Sequence, residues 1–215
     1  MLNVKVFICN MFQENCYVIS DEDNNCIIID CGALYQDEQD KIIDYIRQNN
    51  LRPAHLLCTH GHLDHVFGNI TIYEEFGLKP SVSSKDSRLL ENISGQVKGF
   101  LNVDYNMPTV PTGRFIDNGE DITMGAHTFK VMETPGHSKG SVIFYNKEEN
   151  IAFSGDTLFR MSIGRTDLEG GDYKEIQSSI KKMMEELPEN MKVYPGHGPA
   201  TTLREERLMN PYIGI

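Results

Sequence analysis

The chain has 215 residues, of which 40% are hydrophobic and 24% charged, a composition typical of a soluble globular protein with a sizeable core. Its formal net charge of −11 disfavours binding to nucleic acid or to anionic membranes, because both need a basic surface. No run approaches 18 apolar residues and no basic leader precedes an apolar stretch, so we expect a cytoplasmic protein without a membrane span or secretory signal.

The first part of the chain predicts short strands followed by a helix. "VKVFIC", "NCYVIS" and "NCIIID" are β-branched or aromatic runs, and "SDEDNNC" between the last two predicts a hairpin. In "DEQDKIIDYIRQNN", Ile42, Ile43 and Ile46 form a stripe at helical spacing. "AHLLC" predicts a buried strand, and a second helix is expected from near Asp64 to Phe76 or Gly77.

The remaining chain repeats this order after an irregular middle. Residues 81–113 contain a short predicted helix in "SSKDSRLLENI" and then a Gly-, Pro- and Asn-rich stretch, which is either a lid or binding loop or a surface segment without a role. "HTFKVMET", "SVIFYN" and "NIAFSG" predict strands. A helix capped by Asp172, the strand "MKVYPG" and a last short helix in "TTLREERLMN" follow. The order βββα-βα then βββα-β predicts an α/β fold with two mixed sheets facing each other and helices outside, in one domain over residues 1–215.

All five cysteines lie in the first third of the chain, with no C-x-x-C pair among them. An odd number of cysteines without a secretory signal is typical of reduced thiols. We therefore expect free thiols, and metal ligation by thiolate is the less favoured alternative.

The stretch "THGHLDHVFG" places His60, His62, Asp64 and His65 within six positions. Such a cluster is costly to bury without a partner, whereas neutral histidine and ionised aspartate are the forms that bind a metal. The spacing of His60 and His62 suits one side of an extended or looping chain, and the consecutive Asp64 and His65 cannot point the same way. Two directions indicate two targets, so we interpret the motif as part of a site for two metal ions.

Three further candidate ligands follow predicted strands, each beside a glycine. They are His137 in "ETPGHSKGS", Asp156 in "FSGDTLF" and His197 in "YPGHGPA". Glycine lets the backbone approach a site closely, and ligands on loops after strands are typical of a site built on a scaffold. His55 and His127 have no glycine neighbour, and we interpret them as structural or surface histidines.

The H-x-H-x-D-H motif with its three downstream ligands resembles the metallo-β-lactamase superfamily, and this resemblance implies a four-layer αββα sandwich. Within the superfamily, "SGDTLF", "SIGRTD" and "YPGHGPATT" resemble the glyoxalase II-like hydrolases. The resemblance extends over essentially the whole chain.

The family pattern also implies a role for each candidate ligand. One metal would be held by His60, His62 and His137, the other by Asp64, His65 and His197, and Asp156 would bridge both. The pattern further implies that Asp30, at the end of the third strand, hydrogen-bonds a ligand or the backbone of the motif. The alternative for Asp30 is an aspartate of a strand-end turn.

The resemblance implies a hydrolase with two divalent metal ions, with zinc as the expected metal and iron or manganese as alternatives. Because metals lower the pKa of bound water to about 7, we expect a hydroxide between them to attack a thioester or ester carbonyl. Asp64, which would also handle a proton, and Asp156 are the expected catalytic residues.

The expected partner is a small-molecule substrate, with no nucleic acid and no membrane, and a homo-oligomer is left open. Glyoxalase II itself carries a C-terminal helical domain that holds glutathione, and we expect this domain to be absent because the sequence ends soon after His197. Lys139, beside His137, and Arg165 in "IGRTD" are candidate cations for an anionic substrate, although an internal ion pair is the alternative use of Arg165.

Several other functions remain as alternatives. The persulfide dioxygenases also resemble this scaffold and share "GRTD", but use one iron at the equivalents of His60, His62 and Asp156. A lactonase is a further alternative within the same chemistry. A nuclease is disfavoured by the acidic charge, and a binding protein with one structural metal is disfavoured by the number of candidate ligands.

Overall fold

Two six-stranded mixed sheets face each other in the structure, a computed structural model that describes residues 1–213. The first sheet contains, in spatial order, β1 (Asn3–Cys9), β2 (Glu14–Ser20), β3 (Asn25–Ile29), β4 (Arg52–Leu57), β5 (Pro80–Val82) and β6 (Arg114–Phe115). The second contains β14 (Thr201–Thr202), β13 (Lys192–Pro195), β10 (Ile151–Gly155), β9 (Val142–Asn146), β8 (His127–Glu133) and β7 (Asp121–Met124). A small ribbon pairs β11 (Leu158–Phe159) with β12 (Ser162–Ile163). The helices of the described chain are α1 (Gln36–Gln48), α2 (Asn69–Phe76), α3 (Ser87–Glu91), α4 (Ile93–Leu101), α5 (Tyr173–Glu186) and α6 (Leu203–Met209).

The alternation of side chains along the strands builds the layers. In β2, Tyr17 and Ile19 pack between the sheets, whereas Cys16 and Val18 pack on the outer face against α1. Successive side chains of a strand point to opposite faces, so an apolar strand such as β2 is buried on both sides. The helices α5 and α6 cover the outer face of the second sheet. The layers are therefore α, β, β and α, and the predicted fold class is confirmed.

The five cysteines are buried and free, as expected from the sequence. The neighbouring thiols of Cys31 and Cys9, together with burial, raise the pKa of Cys16 well above its ordinary value. Burial likewise raises the pKa of Cys26 to about 12. All five side chains are buried in the core, and none belongs to a group of candidate metal ligands found among the described residues.

The second helix begins later than predicted. Residues Leu63–His65 form one turn of 3₁₀-helix, and α2 starts only at Asn69. In this turn the carboxylate of Asp64 lies beside His197, and the imidazole of His65 reaches Asp156. A tight turn separates these consecutive side chains in direction, which explains why the regular helix starts after the motif.

The middle of the chain is more regular than predicted. α3 occupies the expected short helix, but α4 also forms in "ISGQVKGFL", despite its two glycines. Ile93 and Val97 of α4 are buried in an apolar cluster with Leu63 and Phe67, and this packing outweighs the low helix propensity of glycine. β7 was also missed by the sequence pattern. No helix among the described residues is long and apolar enough to cross a membrane.

Two exposed glycines provide a matched test of backbone conformation. A Cβ added at Gly99 in α4, or at Gly119 in the turn before β7, would meet no atom within 4 Å, but only Gly119 has a positive φ of +81°. We expect Gly99→Ala to stabilise the protein by about 0.5–1 kcal/mol, because alanine loses less freedom in a helix. Gly119→Ala should destabilise it by about 1–2 kcal/mol, because an L side chain disfavours this conformation.

Urea unfolding midpoints of both variants measure these changes. Equal shifts for the two substitutions would show that backbone conformation is not the deciding difference.

Candidate metal centre

The candidate site lies where loops from both sheets meet at one edge of the sandwich. β3 pairs in parallel with β4, and β10 pairs in parallel with β13. β8 runs in the same direction as β10, because both are antiparallel to β9. The loops at their carboxyl ends can therefore gather the polar side chains that follow each strand. The structure brings together all seven predicted ligands, namely His60, His62, Asp64, His65, His137, Asp156 and His197.

Six of these side chains form two adjoining groups, and the ring centroid of His60 in the first lies 4.2 Å from that of His65 in the second. His60, His62 and His137 have candidate ligand atoms within 4.8 Å of one another, and Nδ1 of His62 lies 2.8 Å from Nε2 of His137. Asp64, His65 and His197 form the second group. Oδ2 of Asp64 lies 3.3 Å from Nε2 of His197 and 3.8 Å from Nε2 of His65.

Asp156 faces both groups. Its Oδ1 lies 3.3 Å from Nε2 of His65, and its Oδ2 lies 3.4 Å from Nε2 of His137 and 3.6 Å from Nε2 of His197. One carboxylate thus contacts a histidine of the first group and two histidines of the second.

Hydrogen bonds on the opposite ring nitrogen orient three of the imidazoles. Nδ1 of His137 donates to the carbonyl oxygen of Arg165 at 2.8 Å, and Nδ1 of His197 donates to that of Phe12 at 3.0 Å. Nδ1 of His65 lies 3.0 Å from Oδ2 of Asp30, which accepts its proton. Each of these bonds holds the ring with Nε2 directed into the site.

Asp30 links two of the histidines through Thr59. Its carboxylate accepts the Thr59 amide at 2.7 Å and the Thr59 hydroxyl at 2.6 Å, in addition to His65. The hydroxyl proton is thus used, so the Thr59 oxygen accepts from Nδ1 of His60, 3.0 Å away. The contacts agree with the predicted hydrogen-bonding role for Asp30 rather than with an isolated turn aspartate.

Burial and neighbouring charges shift the pKa values of the individual ligands in different directions. Burial and the neighbouring histidines lower the pKa of His60 well below its usual value and that of His62 to about 3. Burial opposes ionisation of His65 and Asp156, but their mutual attraction outweighs it, raising the pKa of His65 and lowering that of Asp156. His60 and His62 are therefore neutral at neutral pH and Asp156 is ionised, as metal ligands must be, whereas His65 would release a proton when a metal binds.

The donor set fits two divalent cations. Nε2 of His60, Nε2 of His65 and Oδ1 of Asp156 are buried without a hydrogen-bond partner, and all three point into the cluster. Burying polar atoms without a partner is unfavourable, and a bound cation would remove that cost. Imidazoles with carboxylates suit zinc, iron or manganese and do not by themselves choose among them.

Glycine next to the ligands permits this close packing, as the sequence suggested. A Cβ at Gly196 would lie 2.2 Å from Oδ1 of Asp156 and 2.7 Å from Cε1 of His65. A side chain at this position would displace both ligands.

Asp86 and Gln96 hold the ligand loops, although no sequence pattern singled out either residue. Oδ2 of Asp86 accepts the amide of Gly61 at 3.0 Å and the hydroxyl of Ser138 at 2.6 Å, while Oδ1 accepts the amide of Gly140 at 2.7 Å. Asp86 therefore joins the loop of His60 and His62 to the loop of His137. Gln96 of α4 donates to the carbonyl of Gly61 and accepts the Leu63 amide. A single aspartate before a helix has the pattern of a common cap, so no local signal distinguished it.

Glu14 is a further unpredicted neighbour of the site. Its backbone bridges to that of His197, and its side chain is fully buried with Oε1 3.9 Å from Nδ1 of His65. Burial raises the pKa of Glu14 well above its ordinary value, which favours the neutral acid beside the centre.

A cavity of 340 Å³ opens over the cluster. His62, Asp64, His137, Asp156 and His197 all line it. Arg165 also lines the cavity, but its guanidinium donates to both carboxylate oxygens of Asp167, at 2.8 and 2.7 Å. Lys139 does not line this cavity; it is exposed in a separate hollow with Arg88 and Glu169. The structure thus gives Lys139 no place at the predicted site.

The two remaining histidines lie elsewhere. Nε2 of His55 lies 3.1 Å from the carbonyl oxygen of Thr123, between the two sheets. His127 lies between the carboxylates of Glu22 and Glu149. Both have the structural surroundings expected from the sequence.

Comparison with known proteins identifies the class. The family model of the metallo-beta-lactamase superfamily matches residues 9–197, so the chain belongs to this superfamily. It is a metallo-hydrolase of that class. The hydroxyacylglutathione hydrolase GloC of Haemophilus influenzae is 34% identical over 215 residues, covering 99% of this chain and 98% of that protein, which confirms the resemblance to glyoxalase II-like hydrolases.

Two crystal structures show the same fold over nearly the whole chain. The BLEG-1 B3 metallo-beta-lactamase has a TM-score of 0.89 at 33% identity and covers 100% of both chains. TTHA1623, in a di-iron-bound form, has a TM-score of 0.85 at 34% identity and covers 97% of this chain and 100% of that one.

Asp30→Asn tests the hydrogen-bond network under the ligands. Asparagine tolerates the positive φ of 51° at this position, but its amide group would face one of the three donors that now meet the carboxylate. We expect metal affinity or turnover to fall about 10–100-fold. Metal titration and turnover should be compared with Asp104→Asn, which alters only an exposed ion pair with Lys98. If the Asp30→Asn variant behaves like this control, Asp30 is an aspartate of a strand-end turn without a role at the site.

Asp86→Asn tests the link between the two ligand loops. Because donors meet both oxygens of Asp86, either orientation of the amide leaves a buried donor unsatisfied. We expect a loss of about 1–3 kcal/mol in stability together with weaker metal binding. Urea unfolding and metal titration, with the exposed Asp44→Asn as control, separate the two effects. Reduced stability with unchanged metal affinity would limit Asp86 to a role in the scaffold.

Proposed function

We propose that the protein is a binuclear metal-dependent hydrolase of thioesters or esters. His60, His62 and His137 would hold one ion, and Asp64, His65 and His197 would hold the other. The position of Asp156, with one oxygen towards His65 and the other towards His137 and His197, is the observation that carries this proposal. A carboxylate facing two ligand groups is suited to bridging two cations.

The protein side chains prepare the reaction, and the metal ions complete it. When bound, two divalent ions, which we expect to be zinc, lower the pKa of water and polarise a carbonyl group. The chain fixes the ligand nitrogens, excludes bulk water from the buried half of the cluster and places Asp64 and Asp156 at the cavity surface. Asp64 is the group that we expect to take a proton from the attacking water.

In this reaction, the water oxygen forms a bond to the acyl carbon, and the bond from that carbon to the leaving sulfur or oxygen breaks. The products are a carboxylic acid and a thiol or alcohol, and the proton lost by water passes to the leaving group. The balance needs no oxidant or reductant, and no serine or cysteine nucleophile takes part.

The named relatives support this proposal without fixing the substrate. GloC is named as a hydrolase of hydroxyacylglutathione, and TTHA1623 was crystallised with two irons. The five free thiols support a reducing compartment, so we propose that the protein acts on a small molecule in the cytoplasm.

Metal content and thioester hydrolysis test the proposal together. Protein purified without chelator should contain about two equivalents of metal, and thiol release from thioesters should be removed by chelation. His62→Ala should abolish turnover and lower metal content, because it removes a ligand of the first group. His127→Ala, a histidine outside the centre, is the matched control and should change neither.

The dioxygenase alternative would be favoured over the hydrolase by one equivalent of iron with no uptake of a second metal. It would also require oxygen to be consumed in the presence of a persulfide. Hydrolysis of lactones but not of thioesters would retain the binuclear centre and change the substrate.

A further inference from the structure

The cavity over the metal centre has apolar walls. Its lining includes Phe12, Leu63, Phe100, Phe159, Ile163 and Leu168. Its volume of 340 Å³ is at the low end of the roughly 300–1,000 Å³ found for small-molecule sites. Apart from the candidate ligands and Arg165, the lining formed by the described residues is hydrophobic.

Two of these aromatic rings lie beside histidines that belong to different groups of candidate ligands. The ring centroid of Phe100 is 6.5 Å from that of His62, and the ring centroid of Phe159 is 6.0 Å from that of His197. Phe100 is 41% exposed, so part of its face is open to the cavity mouth. A substrate carbonyl at the metal centre would therefore have apolar surface on both sides.

The cationic side chain of this lining already has an acidic partner. Arg165 makes a two-pronged ion pair with Asp167, and both side chains lie at the surface. The paired carboxylate cancels the positive charge that a substrate carboxylate would need. The carboxylates of a glutathione group would also meet an acidic protein, whose net charge is −11.

We infer that the substrate is a compact, uncharged thioester or ester with an apolar acyl group, rather than a thioester of glutathione. This inference rests on the proposed hydrolase function and narrows its substrate class. Apolar walls bind an acyl chain through the area removed from water, and the occupied Arg165 gives no compensating contact to an anionic leaving group.

A matched panel of thioesters tests this inference. Acetyl, butanoyl and hexanoyl groups are each attached to N-acetylcysteamine, which is neutral, and to glutathione. We expect kcat/KM to rise about fourfold for each added methylene until the cavity is filled, and to be at least about tenfold higher with the neutral thiol. Faster hydrolysis of the glutathione series would overturn the inference and leave the hydrolase function intact. No hydrolysis of any member, nor of the oxygen esters of the same acyl groups, would overturn both.

Substitution of Phe100 tests the apolar wall. Phe100→Ala should reduce kcat/KM for the hexanoyl thioester about tenfold more than for the acetyl thioester. Phe115→Ala, which changes an exposed phenylalanine outside the cavity lining, is the control and should leave this ratio unaltered. Equal losses on both substrates would show that Phe100 does not contact the acyl chain.

Asp167→Ala tests the role of the ion pair, because it leaves the guanidinium of Arg165 without its carboxylate partner. We expect kcat/KM for glutathione thioesters to rise about 1.5- to 5-fold, the range of one exposed ion pair, with no change for the neutral series. Adding Arg165→Ala should remove the gain. If Asp167→Ala lowers hydrolysis of glutathione thioesters, the ion pair assists this substrate and the inference is wrong.

Discussion

The lone pairs of five imidazoles and two carboxylates must be directed into one place, and this constraint shapes the surrounding protein. An imidazole presents one nitrogen to a metal reliably only when its other nitrogen is held. Here the holding groups are largely parts of neighbouring loops, such as the carbonyls of Phe12 and Arg165 for His197 and His137. These same two residues line the cavity. Orientation of the metal ligands and placement of the substrate walls are therefore consequences of the same hydrogen bonds.

The sequence was most informative where a local run of residues decided the structure. The β-branched and aromatic runs of β2 and β3 predicted strands, and the structure buries both faces of each strand, so that the sandwich follows from covering each face. It was less informative where long-range packing opposed local preference. α4 forms around Gly95 and Gly99 because Ile93 and Val97 enter an apolar cluster made by distant segments. No window of sequence contains those partners, so local patterns predicted a loop.

The candidate site likewise contains residues that the sequence predicted and residues that it did not. Its ligands are detectable from sequence because metal chemistry restricts the residue type and glycine must accompany close packing, as at Gly196. The residues that hold the ligand loops have no such restriction. Asp86 joins the loops before and after it in the chain through three hydrogen bonds, and its local sequence is that of an ordinary helix start. Its importance exists only in three dimensions, where Gly61, Ser138 and Gly140 converge on one carboxylate.

Because chemistry restricts the metal ligands but not the residues around them, the substrate is harder to infer from the sequence than the class of reaction. The metal ligands follow strands of the sandwich, whereas the cavity walls come from the Phe12 turn, α4 and the β11–β12 ribbon. These segments can change without disturbing the sheets. Charge at the rim is also a weak determinant, because an exposed pair such as Arg165 and Asp167 contributes at most about 1 kcal/mol. Each methylene removed from water contributes roughly 0.8 kcal/mol, so a few apolar contacts outweigh that pair. Shape and apolar area, more than charge, should therefore decide which acyl groups reach the metal centre.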